Sequence, residues 1–255
     1  MSDSANHIQR KQFYDRLLTI YGRKPVLEAI ENPEIPCFRL HLADTNKPGG
    51  IIKQIITLAE KRGVEIVYHS RQELSRISRN SKQDQGVAAD LECPNHQILD
   101  DFLANPPQEN FRLIALDGIT NPQNLGMIIR SVTASPCHGI LLPKKGTAAI
   151  SPLVIKASAG TLFKSTLIHC ESLEQALPKL KKVGAICCTL SSHSKQTLAE
   201  FKVKTPVVYI LGNETEGVSN EVSKLCTEHI RIPMNNGVES LNVAVTAALL
   251  AFQNT

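Results

Sequence analysis

The chain has no tryptophan, and its tyrosines and phenylalanines together make up only 4% of 255 residues. Proteins that stack successive bases of a single strand need several exposed rings, so no stacking platform is evident. No uninterrupted run of 18 apolar residues occurs, so no segment is expected to span a membrane. The opening "MSDSANHIQRKQ" lacks the apolar core of a secretion signal. The seven cysteines form no C-x-x-C and no spacing typical of metal ligands, so neither a disulfide framework nor a metal site is expected. The expectation is a cytoplasmic protein with reduced, buried thiols. A large excess of one charge is also missing. The net charge is +4, shared evenly by residues 1–92 and 93–255, with no basic tail. That balance is compatible with nucleic acid and does not require it. The phosphate-binding pattern G-x-x-x-x-G-K-[ST] fails because Val218 stands where lysine would follow Gly217, and no G-x-G-x-x-G follows a strand. Enzymes of nucleoside triphosphates and dinucleotides are therefore disfavoured.

What is present is alternation of strand-like and helix-like segments. Residues 1–16 are polar and read as a loose arm. "YGRKPVLEAIE" (21–31) and "IIKQIITLAEKRG" (51–63) show helical periodicity, while "CFRLHLA" (37–43) and "VEIVYHS" (64–70) read as strands. A short basic helix, a polar loop and another strand complete a small α/β domain over 17–92. The proline- and asparagine-rich stretch 93–110 reads as a linker with a short helical piece inside. From Phe111 a second α/β pattern runs to the end, and its alternating strands and helices imply a mostly parallel sheet covered on both faces. Ligands of such sheets bind beyond the carboxyl ends of the strands. Three polar, glycine-containing segments stand at such ends: 117–130, 211–219 and 233–242.

The first contains "TNPQNLGMIIR", in which Asn124 sits where a helix should begin and Arg130 follows on that helix. An arginine there can clamp a phosphate or steer a neighbouring hydroxyl. The second, "ILGNETEGVS", opens a buried strand into Gly212, with Gly217 five residues on. Its backbone N–H groups can hold a ligand closely, and its two glutamates argue against a triphosphate. In the third, "IPMNNGVESLNVAVTAALLAF", a turn at Asn235-Asn236-Gly237 leads to Ser240, a suitable helix N-cap, with Asn242 in the first turn.

Together, "DGITNPQNLGMIIRS", "LGNETEG" and "IPMNNGVESLNVAV" resemble, in order and spacing, the motifs of the SpoU/TrmH family of RNA ribose 2′-O-methyltransferases of the SPOUT class. "YGRKPVLEAI" and "DQGVAA" resemble the substrate-binding domain of its longer members. The resemblance covers about residues 20–252 and is greatest to the subgroup that modifies a guanosine of 23S ribosomal RNA; tRNA-directed relatives share the motifs. It implies an α/β fold with a C-terminal trefoil knot, S-adenosylmethionine as cofactor, and an active site formed across a homodimer. By the same resemblance, Arg130 would activate the ribose hydroxyl and Asn124 would hold the first loop. Glu216 would fix the catalytic constellation, and Ser240 and Asn242 would line the methyl-transfer site. The cofactor would lie on Leu211, Gly212, Asn213, Gly217, Ile232, Met234 and Leu241.

Three positions depart from the family pattern: Asp84 replaces a usual histidine, Thr215 replaces a glycine, and Asn236-Gly237 shifts a glycine by one place. RNA is the expected partner, ribosomal in preference to transfer RNA. Candidate phosphate contacts are Arg71, Arg76, Arg79 and Lys82 on the basic helix, and Lys144 and Lys145 after the strand "GILLP". Two other readings compete. A catalytically silent RNA-binding assembly factor would keep the fold without methyl transfer, and intact Asn124 and Arg130 argue against it. A small-molecule enzyme would need the nucleotide fingerprints that are missing.

Overall fold

The computed structural model describes residues 17–47, 49–93, 95–107 and 110–253. The loose arm expected at 1–16 lies outside the described residues. The chain divides into two compact units, Met1–Pro94 and Asn95–Thr255.

In the first unit four strands, β1 (Leu17–Tyr21), β2 (Cys37–Ala43), β3 (Glu65–His69) and β4 (Val87–Glu92), form a sheet in the order β1-β4-β2-β3. β1–β4 and β4–β2 are antiparallel and β2–β3 is parallel. Three helices accompany them: α1 (Arg23–Glu31), α2 (Gly50–Lys61) and α3 (Arg71–Ser78). Val26, Ala29 and Ile30 of α1 and Ile52, Ile55 and Ala59 of α2 are buried, and the two helices pack on each other. Leu74 of α3 packs with Ala43 and Ala88 of the sheet, joined by Tyr21 and Ile77. β1 is an addition to the sequence reading, which ended the arm at residue 16 and assigned no strand to the short run "LLTIY". Pairing to β4 along its whole length makes it a strand.

A polar relay crosses this sheet. Asp90 accepts from Thr19 Oγ1 at 2.6 Å and pairs with His41 Nε2 at 3.0 Å, while His41 Nδ1 meets His69 Nε2 at 2.9 Å. Burial pushes the Asp90 carboxyl up, but the bonds from His41 and Thr19 outweigh it and hold the group below the usual carboxylate range.

The second unit holds seven strands: β5 (His96–Ile98), β6 (Arg112–Leu116), β7 (Gly139–Pro143), β8 (Leu167–Cys170), β9 (Ile186–Leu190), β10 (Val207–Leu211) and β11 (Glu228–Ile230). Their order is β11-β9-β10-β6-β7-β8-β5, and every pairing is parallel. Covered strands explain the unbroken apolar runs of β6, β7 and β10. The helices are α4 (Leu99–Ala104), α5 (Pro122–Thr133), α6 (Pro152–Ala157), α7 (Leu173–Lys182), α8 (Asn220–Ser223) and α9 (Val243–Ala251), with a 3₁₀ turn at Thr161–Lys164. The stretch 93–110, expected as a linker with a short helical piece inside, holds that helix as α4 and also a strand, β5. β5 pairs with β8 at the sheet edge, and Leu99 and Phe102 sit in the core with Phe111, Leu141 and Ile168. Prolines and asparagines around these short elements masked two apolar anchors.

All seven cysteines are free thiols. Burial pushes Cys93, Cys170, Cys188 and Cys226 up to about 12, and Cys37 and Cys187 up to about 11.

Candidate active site at the strand ends

The chain runs β6, β7, β8 to one side of the sheet, then crosses to β9 on the other side and places β10 between β9 and β6. That reversal opens a crevice at the carboxyl ends of the strands. The loop after β10 closes on itself there. Asn213 and Gly217 exchange two backbone bonds of 2.9 Å, and Asn213 Oδ1 accepts from the N–H of Thr215 at 2.8 Å. A side chain at Gly212 is impossible, since its Cβ would lie 2.0 Å from the Gly217 carbonyl carbon. The loop is stitched to the end of β6: Asn213 Nδ2 donates to Gly118 O at 2.9 Å, and Ser219 N donates to Asp117 Oδ2 at 2.7 Å.

Beside it lies a cleft of about 1040 Å³, formed by residues 189–192, 210–218 and parts of 231–246. Leu211, Gly212, Asn213, Gly217, Ile232, Met234 and Leu241 all line it, as do Glu216, Ser240 and Asn242. The end of β9 and the two residues beyond it, Thr189–Ser192, form a fourth wall that the sequence reading missed; no glycine after "AICCTL" marks it.

At the rim of the cleft three side chains close a ring. Glu214 Oε1 accepts from Asn124 Nδ2 at 2.6 Å and from Asn242 Nδ2 at 2.9 Å. Asn242 Nδ2 also donates to Asn124 Oδ1 at 3.2 Å. The ring depends on two caps. Asn121 caps α5 through Oδ1, taking the N–H of Gln123 at 2.8 Å, which releases the buried Asn124 from that duty. Asn242 caps α9 through Oδ1, taking the N–H of Ala244 at 2.8 Å, and so turns its amide nitrogen to the ring. Two sequence expectations are thereby corrected. The cap of α9 is Asn242, not Ser240, which stays exposed in the cleft wall. The glutamate that joins the asparagines is Glu214, not Glu216, which faces solvent with its N–H on Asn213 Oδ1 at 3.4 Å. Nothing in "NETEG" separates two glutamates two residues apart; the closure of the turn at Gly217 does.

Arg130 is exposed and lies outside this ring. Six residues past Asn124, it stands about 120° around the helix from it, on the stripe that carries exposed Met127. Gly126 serves packing. A Cβ there would lie 2.5 Å from Ala157 Cβ and 2.7 Å from Val154 O, so glycine lets α5 and α6 touch. Of the basic residues, Arg71 pairs with Asp84 at 3.2 Å, and Lys144 pairs with Glu171. Arg76, Arg79, Lys82 and Lys145 are exposed. Asp84, which stands in place of a usual histidine, is fully buried.

A parallel α/β sheet with a backbone-built, acid-rimmed turn at its switch point places a ligand-sized cleft where such sheets bind their ligands. Residues 111–252 match the SpoU rRNA Methylase family, and residues 19–97 match the RNA 2′-O ribose methyltransferase substrate-binding domain. A curated relative in Mycolicibacterium vanbaalenii, named as an uncharacterized tRNA/rRNA methyltransferase, is 30% identical over 91% of this chain and 74% of its own. The SpoU methyltransferase AviRb of Streptomyces viridochromogenes, solved with AdoMet, aligns with TM-score 0.63 and 24% identity over 93% of this chain and 88% of its own. An rRNA methyltransferase of Sinorhizobium meliloti aligns with TM-score 0.62 and 23% identity over 93% and 86%. The chain belongs to the SpoU rRNA methylase family.

Proposed function

We propose that the protein transfers a methyl group from S-adenosylmethionine to a ribose 2′-hydroxyl of RNA, at a guanosine of 23S ribosomal RNA. The observation that carries this reading is the Asn124–Glu214–Asn242 ring at the rim of the cleft, in a chain of this family.

The cleft fits the cofactor. Ile232, Met234, Val238 and Leu241 offer apolar surface for a purine, and the turn 212–217 offers main-chain groups with no side chain at Gly212 to block approach. Glu214, Glu216 and Glu239 surround the same space, a setting that suits a sulfonium cation and not a triphosphate. When bound, the cofactor supplies a methyl group whose departure leaves a neutral thioether. The protein must then align the hydroxyl and help it lose a proton, and alignment alone is worth roughly 7–11 kcal/mol in ideal cases. The ring of amides fixes Glu214 through Oε1 and leaves Oε2 to accept from a ribose hydroxyl. A guanidinium is a poor base, so Arg130 acts by holding the adjoining phosphate and by electrostatics. Ser240 lines the transfer site.

Arg130 reaches a site only when a second copy completes it, and we read the active unit as a homodimer. The support is α9. Apart from Thr246 its residues are apolar, yet Val245 and Leu249, with Phe252 at its C-cap, are 49%, 42% and 51% exposed. The second unit is read as knotted, in keeping with its family; α9, last in sequence, packs against α5, β6 and β10. Lys145 joins Arg71 as an RNA contact. Among the described residues no helix is long and apolar enough to cross a membrane, and the cytoplasm is the proposed compartment.

The test is methyl transfer from labelled S-adenosylmethionine, with total ribosomal RNA and total tRNA offered separately. Label on a ribose of ribosomal RNA, lost in Arg130→Ala, is expected. Label in tRNA alone overturns the substrate, and no label in either overturns the activity.

A further inference from the structure

The two stretches that carry the resemblance of the N-terminal unit, "YGRKPVLEAI" and "DQGVAA", meet in space, and their meeting point involves neither the cofactor cleft nor the amide ring. Arg23 N–H donates to Gln85 Oε1 at 3.1 Å across 62 residues of sequence, and Arg23 Nε donates to Gln85 O at 3.3 Å. Arg23 Nη2 reaches Asn46 Oδ1 at 3.4 Å, and Asn46 Nδ2 donates to Gly86 O at 2.6 Å. From the other side Arg71 pairs with Asp84 at 3.2 Å. A Cβ on Gly86 would lie 2.8 Å from Asn46 Oδ1 and 3.1 Å from Arg71 Nη1, so only glycine leaves room for this convergence.

The backbone is forced here. Gly22, Gln85 and Gly86 all have left-handed φ values, 94°, 52° and 78°. Gln85 is not a glycine, and such conformations persist where surroundings over-determine them, most often at functional sites. The charge is one-sided. Asp84 is fully buried and turned inward, accepting from Ser78 Oγ at 3.0 Å and Gly86 N at 2.9 Å. Lys24 and Lys47 flank the arginines on the exposed side, against two exposed acids, Asp44 and Glu73, the latter engaged with Ser70 in the cap of α3. Two guanidinium groups held by amides and a buried carboxylate are presented as forks. Forks of this kind match phosphate oxygens in pairs, which lysines do not.

We propose that Arg23 and Arg71, gathered about Asn46 and Gly86, are the point where the N-terminal unit grips backbone phosphates of the RNA substrate. The inference rests on reading the protein as an RNA methyltransferase, and it gives that reading a place of contact. It differs from a grip by the outer face of α3. Arg76, Arg79 and Lys82 are exposed there, and no hydrogen bond among the described residues fixes their charged groups.

The test uses the full chain with Arg23→Gln and Arg71→Gln, and filter binding to protein-free ribosomal RNA and to bulk tRNA at several salt concentrations. Each substitution should make the slope of log affinity against log salt shallower by about 0.7–0.9 and weaken binding on the order of ten-fold. Arg71→Lys should restore the slope but not the full affinity. Lys53→Gln, on the exposed face of α2, should change neither. In methyl transfer the KM for RNA should rise while kcat at saturating RNA and cofactor affinity hold. If Arg71→Gln lowers the melting temperature by exposing Asp84, Arg23→Gln decides alone. Unchanged slope and affinity in Arg23→Gln overturn the proposal, as does loss of the whole salt effect in Arg76→Gln/Arg79→Gln. Wild-type protein that binds RNA through these arginines but transfers no methyl group would sink the enzymatic reading and leave the docking point standing.

Discussion

Glu214 holds two asparagines through a single oxygen, so its removal frees both. Glu214→Ala is expected to lower kcat by roughly 10² fold, the scale for misplacing a catalytic group by about 1 Å. Glu216→Ala should stay within about three-fold, because its carboxylate joins no bond of the ring; single-turnover rates of the two variants check this contrast. Equal loss in both would restore Glu216 to the role the resemblance gave it. Here the limits of sequence reading are plain. The strand ends, the glycine turns, Asn124 and Asn242 were legible because each leaves a local mark. Which glutamate turns inward was not, because that follows from a bridge between Asn213 and Gly217 that forms only in the folded loop. The same holds for the caps: Asn124 and Ser240 stand where helices begin, yet Asn121 and Asn242 serve as the caps.

Helices α5 and α9 carry the consequences at the level of elements. Gly126→Ala pushes a methyl group into α6, where Ala157 Cβ and Val154 O already occupy the space. Overpacking of this kind costs about 1–3 kcal/mol, and urea unfolding should read it as a lower midpoint with activity per folded molecule kept. The exposed half of α9 gives a second expectation. Leu249→Lys should leave a folded monomer by analytical ultracentrifugation, with methyl transfer lost. A variant that stays dimeric and active removes α9 from the interface. Titration adds a third. Burial, aided by neighbouring His169, pushes His96 of β5 down to about 3. The folded value lies below the unfolded one near 6.5. Its contribution is therefore complete above about pH 6.5 and is lost as pH falls toward 3. Urea stability should drop by about 1.4 kcal/mol per pH unit for this one group below pH 6, and His96→Leu should flatten that slope. β5 itself was hidden in the sequence. Three residues between prolines give too little periodicity to show a strand, and it is the edge of β8 that makes them one.

At the scale of the molecule, the two units divide the work: the second contains the whole lining of the cleft, and the first contains the Arg23–Arg71 convergence. The alternation of strands and helices suggested two α/β units, and β5 and α4 lie within the stretch expected as a linker. The buried thiols turn the division into something that can be timed. A thiol that is both covered and protonated reacts with an alkylating reagent only while its surroundings are open. Cys37 and Cys93 belong to the first unit, and Cys137, Cys170, Cys187, Cys188 and Cys226 to the second. The chain thus carries its own set of chemical clocks. Under pulses of iodoacetamide in rising urea, peptide mass spectrometry should show buried Cys93 modified in one transition and half-buried Cys37 modified no later. Cys187 and Cys188, fully buried in β9, one strand in from the sheet edge, should follow their own single transition. Addition of S-adenosylmethionine should slow the second pair and leave the first untouched, a separation that no inserted probe is needed to see.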